Sequence, residues 1–380
     1  MGTRGFQVKK ASKTILFQYT CRYFVGEKPC RYKRTCPGCP HFSPFTRRIL
    51  IIKLGALGDV LRTTPLLRRL KEDFPQSQIT WLTDAAAVSL LRDNRHIDRL
   101  FHCSFEHETI LRAERFDLLI NLDKAPFAAA LASLLYAKKK LGFGMHPAGA
   151  ICPLNKEAQY AFRLGVDDEL KFRKNRKTYQ EIVFEACGFR YAGEAYELPC
   201  ADLTDDELSR RGIPELKRPV IGLNTGAGSL FAGKGWTREG WKSLIDIVVR
   251  DLRGTCLLLG GERERELNAW LMRKCAHPSL FDTGWDNPLP VFVSLVGLCD
   301  LVVCGDTLGM HIAIGLRKKV VALFGSTCPQ EIDLYGRGVI VQADDIPCAP
   351  CYRRTCDKGE ICLSGISVET VAGAVKRLLK

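Results

Sequence analysis

One pattern constrains this 380-residue chain more than any other: a β-branched strand runs into a small-residue loop and then an apolar helix, and the unit occurs in both halves. In the first half, Arg47-Arg48 lead into Ile49-Leu50-Ile51-Ile52-Lys53-Leu54, the length and composition of a buried parallel strand. Gly55-Ala56-Leu57-Gly58-Asp59 follows, and then Val60, Leu61, Leu66, Leu67 and Leu70 recur at helical spacing. A second strand from Gln78 to Thr83 completes a βαβ unit. Further strands are expected over 99–103 and 116–122, with a helix over 128–136.

Residues 199–219 break this rhythm with a polar connector that carries Pro199, Pro214 and Pro219. The pattern then restarts with Val220-Ile221-Gly222-Leu223-Asn224, the loop Thr225-Gly226-Ala227-Gly228, and a helix around 238–250. Strands follow over 255–259, 301–304, 320–324 and 339–341. The tail 368–379 has an apolar stripe at helical spacing, with Ser367 as its N-cap. The expected class is α/β: a cysteine-rich segment over 1–46, Rossmann-like domains over 47–208 and 216–366, and a terminal helix over 367–380.

No run of about eighteen apolar residues offers a membrane span. The N-terminal stretch lacks the apolar core of a secretory signal, so a cytoplasmic location is expected. The net charge of +14 is concentrated at one end: residues 1–48 hold 11 Lys/Arg against one acidic residue. Such a segment attracts an anionic partner, whether nucleic acid, acidic headgroups or a phosphorylated glycolipid. In a reducing compartment the 17 cysteines read as thiols or metal ligands. Cys21, Cys30, Cys36 and Cys39, with His41 nearby, have the ligand number of a structural zinc or an iron–sulfur cluster. Cys348, Cys351, Cys356 and Cys362 allow the same reading, or that of ordinary reduced thiols.

Each strand-to-helix loop carries residues with a possible task. Gly55 and Gly58 let backbone approach a substrate closely. Asp59 is either a helix-capping carboxylate or a general base at a cleft edge. The loop is not G-x-G-x-x-G, which disfavours a nicotinamide site. Thr225, Gly226 and Ala227, with Lys234 shortly after, suit a diphosphate. Asp306, Thr307, Leu308 and Gly309 lead into a helix that bears His311; Asp306 is a cap or an anion-site residue, and His311 a core or a site residue. Glu262, Glu264 and Glu266 form a solvated helix face or hold a ribose.

The stretch from Ile49 through Gly55, Gly58 and Asp59 to Leu67 resembles the opening of glycosyltransferase family 9, the lipopolysaccharide heptosyltransferases. Asn224 to Gly228 with Lys234-Gly235-Trp236, Gly305 to His311, and Val320 to Thr327 are similar to further blocks of that family in the same order. The resemblance covers about residues 47–380 and implies a GT-B fold, with the acceptor on the first domain and the donor nucleotide mostly on the second. It implies Asp59 as catalytic base of an inverting displacement, Lys234 on phosphate, Glu264 on ribose, and the loop from Asp306 to Gly309 beneath diphosphate and sugar. The terminal helix is expected to pack back toward the first domain. The implied substrates are ADP-heptose and an anionic lipopolysaccharide acceptor, with no catalytic metal, peripheral contact with an inner membrane and no nucleic acid. Leu308-Gly309-Met310 departs from the glycine that many family members have directly after the Asp-Ser/Thr pair, here Asp306-Thr307, and the cysteine-rich segment lies outside the resemblance. A nucleic-acid-binding zinc knuckle, with Tyr19, Tyr23, Phe24 and Tyr32 as stacking residues, and an epimerase-like enzyme using Tyr136 and Lys140 are the competing readings.

Overall fold

The computed structural model describes residues 17–226, 235–359 and 361–380. Each half of the chain builds its own six-stranded sheet. In the first, β1 (Arg47–Ile52), β2 (Ser77–Thr83), β3 (Arg99–His102), β4 (Phe116–Asn121), β5 (Ala137–Met145) and β6 (Ile151–Pro153) stand in the order β3-β2-β1-β4-β5-β6. In the second, β7 (Val220–Asn224), β8 (Thr255–Leu259), β9 (Leu280–Asp282), β10 (Leu301–Gly305), β11 (Lys319–Phe324) and β12 (Gly338–Gln342) follow the matching order β12-β11-β10-β7-β8-β9. The pairings are parallel except for the edge strand β6, which runs antiparallel to β5.

The central strand shows why this sequence takes this place. Ile49 and Ile51 pack with Val60, Leu66 and Trp81 on one face of the sheet, while Leu50 and Ile52 pack with Phe116 and Leu131 on the other. Both faces of β1 are covered, so an unbroken apolar run is needed rather than an alternating one. Burying each of these side chains contributes about 1.5–3 kcal/mol.

The chain order reverses between β1 and β4 and again between β7 and β10. Open α/β sheets bind ligands at such switch points, outside the carboxyl ends of the strands. The four loops that leave these ends begin at Lys53, Leu122, Thr225 and Asp306.

The two domains face each other across these loops. Helix Leu57–Thr63 of the first packs on helix Leu308–Gly315 of the second. Leu61 and Leu90 are buried in an apolar cluster made mostly of second-domain residues, including Met310, Ile312 and Ala313. Tyr335 Oη donates to the Glu194 carbonyl at 2.9 Å, and Tyr191 Oη donates to Asp333 at 3.0 Å.

Helix Val368–Leu379 departs from expectation. Its Val371, Ala372, Ala374 and Val375 pack with Trp241, Leu244, Val321 and Val341, and it lies against helix Arg238–Arg250 and strands β11 and β12. It covers a face of the second sheet rather than packing back toward the first domain, because the apolar side chains of β11, β12 and helix Arg238–Arg250 take up its apolar stripe. Ser367 caps it by accepting from Thr370 N, as its sequence position predicts.

The cysteine-rich segment docks at the amino ends of β1 and β2. Phe45 N donates to Thr20 O and Thr46 N to Gln76 O, each at 2.9 Å, and Arg22 donates to Ser77 O and pairs with Asp98. Six residues of β1, about 20 Å at 3.3 Å per residue, separate this end of the domain from the loop that carries Asp59. Among the described residues, the segment's basic side chains do not line the crevice at the other end.

Candidate active site

A cleft of about 960 Å³ runs between the domains, lined from one side by Ala56, Gly58, Asp59 and Arg62 and from the other by Gly226, Gly260, Glu264, Asp306, Thr307 and His311. A second lobe of about 410 Å³ continues into the first domain, sharing Asp59, Arg62, Lys171 and Glu331 and adding Lys53, Lys124 and Tyr179.

Asp59 lies in the first turn of helix Leu57–Thr63, whose N-cap is Ala56 with no side-chain cap bond. Its carboxylate is therefore not spent on capping. It stands 3.0 Å from Arg62 Nε and 3.7 Å from Lys53 Nζ, with its side chain 35% exposed to the cleft. Burial alone would raise its pKa, but Arg62, Lys53 and His311 outweigh that and hold it below the usual carboxylate value. Lys53 in turn is held 3.4 Å from Asp123. Burial disfavours the Lys53 ammonium, yet Tyr179, Asp59 and Asp123 keep its pKa above the ordinary lysine value. Asp123, just past β4, also accepts from Leu54 N at 3.1 Å, which fixes the start of the glycine loop.

On the facing domain, Thr307 rather than Asp306 caps helix Leu308–Gly315, accepting from Met310 N. Its hydroxyl donates to Asn224 Oδ1 at 2.7 Å, which ties the loop after β10 to the end of β7. A Cβ on Gly309 would overlap the Asn224 amide, so the helix start approaches β7 as closely as a glycine allows. Asp306 faces the cleft beside this helix N-terminus, where free N–H groups and the helix dipole favour an anionic ligand. His311 is buried, with Nδ1 3.3 Å from Tyr196 Oη. Glu264 accepts from Gly261 N at 2.8 Å and lies against Gly226 and Gly260, at the carboxyl ends of β7 and β8. Thr225 donates to Asn268 at 2.6 Å, a contact that supports the loop.

The model of the family described as glycosyltransferase family 9 (heptosyltransferase) matches residues 105–362, well over half the chain. The chain belongs to glycosyltransferase family 9. It is 23% identical to the lipopolysaccharide core heptosyltransferase OpsX of Haemophilus influenzae, over 89% of this chain and 99% of that protein. Among solved structures it is similar to a family 9 glycosyltransferase of Veillonella parvula, with a TM-score of 0.67, 21% identity, and coverage of 88% and 98%. It also resembles the E. coli ADP-heptose lps heptosyltransferase II, with a TM-score of 0.63, 18% identity, and coverage of 87% and 98%. The family 9 chain is thus a glycosyltransferase, and its two facing Rossmann-like domains are the GT-B fold that the motifs implied.

Of the residues singled out in the sequence, Gly58, Asp59, Gly226, Glu264, Asp306, Thr307, Leu308, Gly309 and His311 line the main cleft, and Gly55 lines its second lobe. Thr225 supports the rim from beneath, while Ala227 and Lys234 lie outside the described residues. Arg62, Lys53, Asp123, Tyr179, Lys171, Glu331 and Trp285 went unrecognised in the sequence. They come from separate elements and have no spacing signature: Arg62 lies on helix Leu57–Thr63, Tyr179 opens helix Tyr179–Ala186, and Glu331 ends the short turn Pro329–Glu331. Tyr136 and Lys140 are absent from the lining of either lobe.

Cys21, Cys30, Cys36 and Cys39 line one small cavity of about 20 Å³, together with His41. Among the described residues, however, no three His, Cys, Asp or Glu side chains form a group that could hold a metal ion. The four aromatics named as nucleic-acid platforms are engaged with each other or with neighbours: Tyr32 stacks on His41 at 3.9 Å, Tyr23 meets Tyr32 edge-on, and Phe24 packs with Phe17 and Tyr19.

Proposed function

We propose that the chain transfers a heptose from an ADP-activated donor to a lipopolysaccharide core or lipid A acceptor, with inversion at the anomeric carbon. One observation carries this reading: Asp59 of the first domain and the loop from Asp306 to His311 of the second open on the same cleft. The names of the similar proteins point to the same sugar and acceptor.

In the proposed reaction Asp59 accepts the proton of the attacking acceptor hydroxyl as that oxygen bonds to the anomeric carbon and the nucleoside diphosphate departs. The N-terminus of helix Leu308–Gly315 and Lys234 receive the negative charge that develops on the leaving group. Glu264, at the tips of β7 and β8, holds the ribose. No step is routed through a metal. Closure of the two domains excludes water and protects the activated sugar from hydrolysis. Because Asp59 is a weak base when ionised beside two cations, its share of the work is to receive a proton already loosened by bond formation.

The acceptor is read as anionic because Lys53, Lys124, Lys171 and Arg62 outnumber Asp59, Asp123 and Glu331 in the lining of the second lobe. Among the described residues no helix is long and apolar enough to cross a membrane. A cytoplasmic location, with peripheral contact at the inner membrane through exposed Lys28, Arg31, Lys33 and Arg34, suits a lipid-anchored acceptor.

The test is incubation with ADP-heptose and a core-lipid acceptor, comparing native protein with Asp59→Ala. Turnover by the native protein alone supports the reading. Equal turnover by both removes Asp59 from the mechanism, and none by either reopens the identity of the donor.

A further inference from the structure

Arg62 lies one turn beyond Asp59 on the same helix and reaches three elements at once. Its Nε is 3.0 Å from Asp59 Oδ1, its Nη2 is 3.9 Å from Glu331 Oε2 across the domain seam, and its guanidinium carbon stands 3.7 Å from the centre of the Tyr179 ring. The Arg62 and Glu331 side chains are only 13% and 12% exposed, so their interaction is poorly screened by water. Nothing in the chemistry of sugar transfer requires an acidic residue of the second domain to meet this arginine.

The seam beside the pair is extensive. Gln330 donates to the Lys171 carbonyl at 3.2 Å, and the Phe172 ring stacks on that of Tyr352 at 5.4 Å. Arg173 donates to the carbonyls of Pro347 and Ala349, both at 3.2 Å. Glu331 is therefore carried on a segment that follows the relative position of the two domains.

We propose that Arg62 is a positioning residue that couples closure of the domains to the state of Asp59. With the domains together, the guanidinium is shared between Asp59 and Glu331, and the carboxylate is the stronger base. With Glu331 drawn away, the guanidinium rests on Asp59 alone and quenches it. The base is then fully effective only when the cleft is closed around a donor. The inference rests on the assignment of Asp59 as base, and it adds a regulating pair to it.

The charged and titratable groups around the pair are Asp59 on the same helix, Lys53 and Asp123 just past strands β1 and β4, Lys124 and Lys171 beside Glu331, Tyr179 from helix Tyr179–Ala186, Tyr196 from the connector, and His311, Cys328 and Tyr352 from the second domain. Replacing Glu331 by glutamine removes a negative charge and leaves Arg62 to Asp59, so the Asp59 titration moves to lower pH. Replacing Arg62 by methionine removes the positive charge, so the same titration moves to higher pH.

The experiment follows Asp59 by carbon NMR of carboxyl-labelled aspartate in the full chain, in wild type, Glu331→Gln, Arg62→Met and Arg62→Lys, alongside turnover against pH. The expected result is opposite displacement of the titration in the first two variants, an intermediate position in Arg62→Lys, and a turnover number lowered roughly tenfold in Glu331→Gln. Displacement in the same direction, or none, overturns the proposal. The NMR titration needs no substrate, so it stands apart from failure of the sugar-transfer reading, which would appear as absent turnover with the opposite displacements intact.

Discussion

Gly58 packs so closely on His311 that a Cβ at position 58 would overlap the imidazole ring. The glycine loop of one domain and the donor-side helix of the other are therefore fitted to each other without room for a methyl group. Gly58 is needed for this approach and not for an unusual backbone angle.

Gly58→Ala is expected to separate the domains at the cleft while leaving each sheet intact. His311 is buried and bonded to Tyr196, so the ring cannot swing aside freely. Overpacking of this kind costs about 1–3 kcal/mol. The loss should appear as lower kcat/KM and an expanded scattering profile with unchanged circular dichroism. Full activity would show that the ring yields.

Asp59→Asn should reduce turnover by roughly 10²–10⁴-fold if proton acceptance is its task, with donor binding measured by calorimetry little changed. The same substitution tests the electrostatics. Because Arg62 and Lys53 hold the folded-state pKa below its ordinary value, Asp59 stabilises the fold above that ordinary value, and the contribution is lost as pH falls through the folded-state value. Denaturant melts should show the variant less stable at neutral pH and the gap closing under strongly acidic conditions. A gap independent of pH would contradict the assigned ion pairs.

Glu264→Gln retains the shape that fits between Gly226 and Gly260 but removes the charge. Donor affinity should fall by roughly tenfold, the value of about one charge-assisted hydrogen bond, with kcat altered less. Gly226→Ala should weaken donor binding as well, because its new methyl group would strike the Glu264 carboxylate. Unchanged donor affinity in both variants would take Glu264 out of the site.

Trp285 lines the cleft beyond Glu264, 39% exposed, with the Arg265 guanidinium 4.7 Å from its ring centre. An exposed aromatic face at the edge of a nucleotide cleft is suited to stacking on a base. Trp285→Ala should raise the dissociation constant for ADP by roughly tenfold, given about 1–3 kcal/mol for base–aromatic stacking, and should abolish tryptophan quenching on titration. Quenching that survives the substitution would assign the signal to another indole.

Much of this protein was present in local sequence. Unbroken apolar runs such as Ile49 to Ile52 specify strands covered on both faces, and the spacing of Leu61, Leu66 and Leu70 specifies a helix, because strand and helix periodicities are set by neighbouring residues alone. The glycine loops, Asp59 and the Asp306–His311 block could be read for the same reason: each is a short motif at a strand's end. The placement of the final helix could not be read that way, since an apolar stripe states that a face must be buried but not against what. Nor could the partners of Asp59. Lys53, Arg62, Asp123 and Glu331 span the chain from the first strand to the loops of the last sheet, and only the apposition of two domains decides which charges share a dehydrated space, because electrostatic coupling depends on distance and burial rather than on order along the chain.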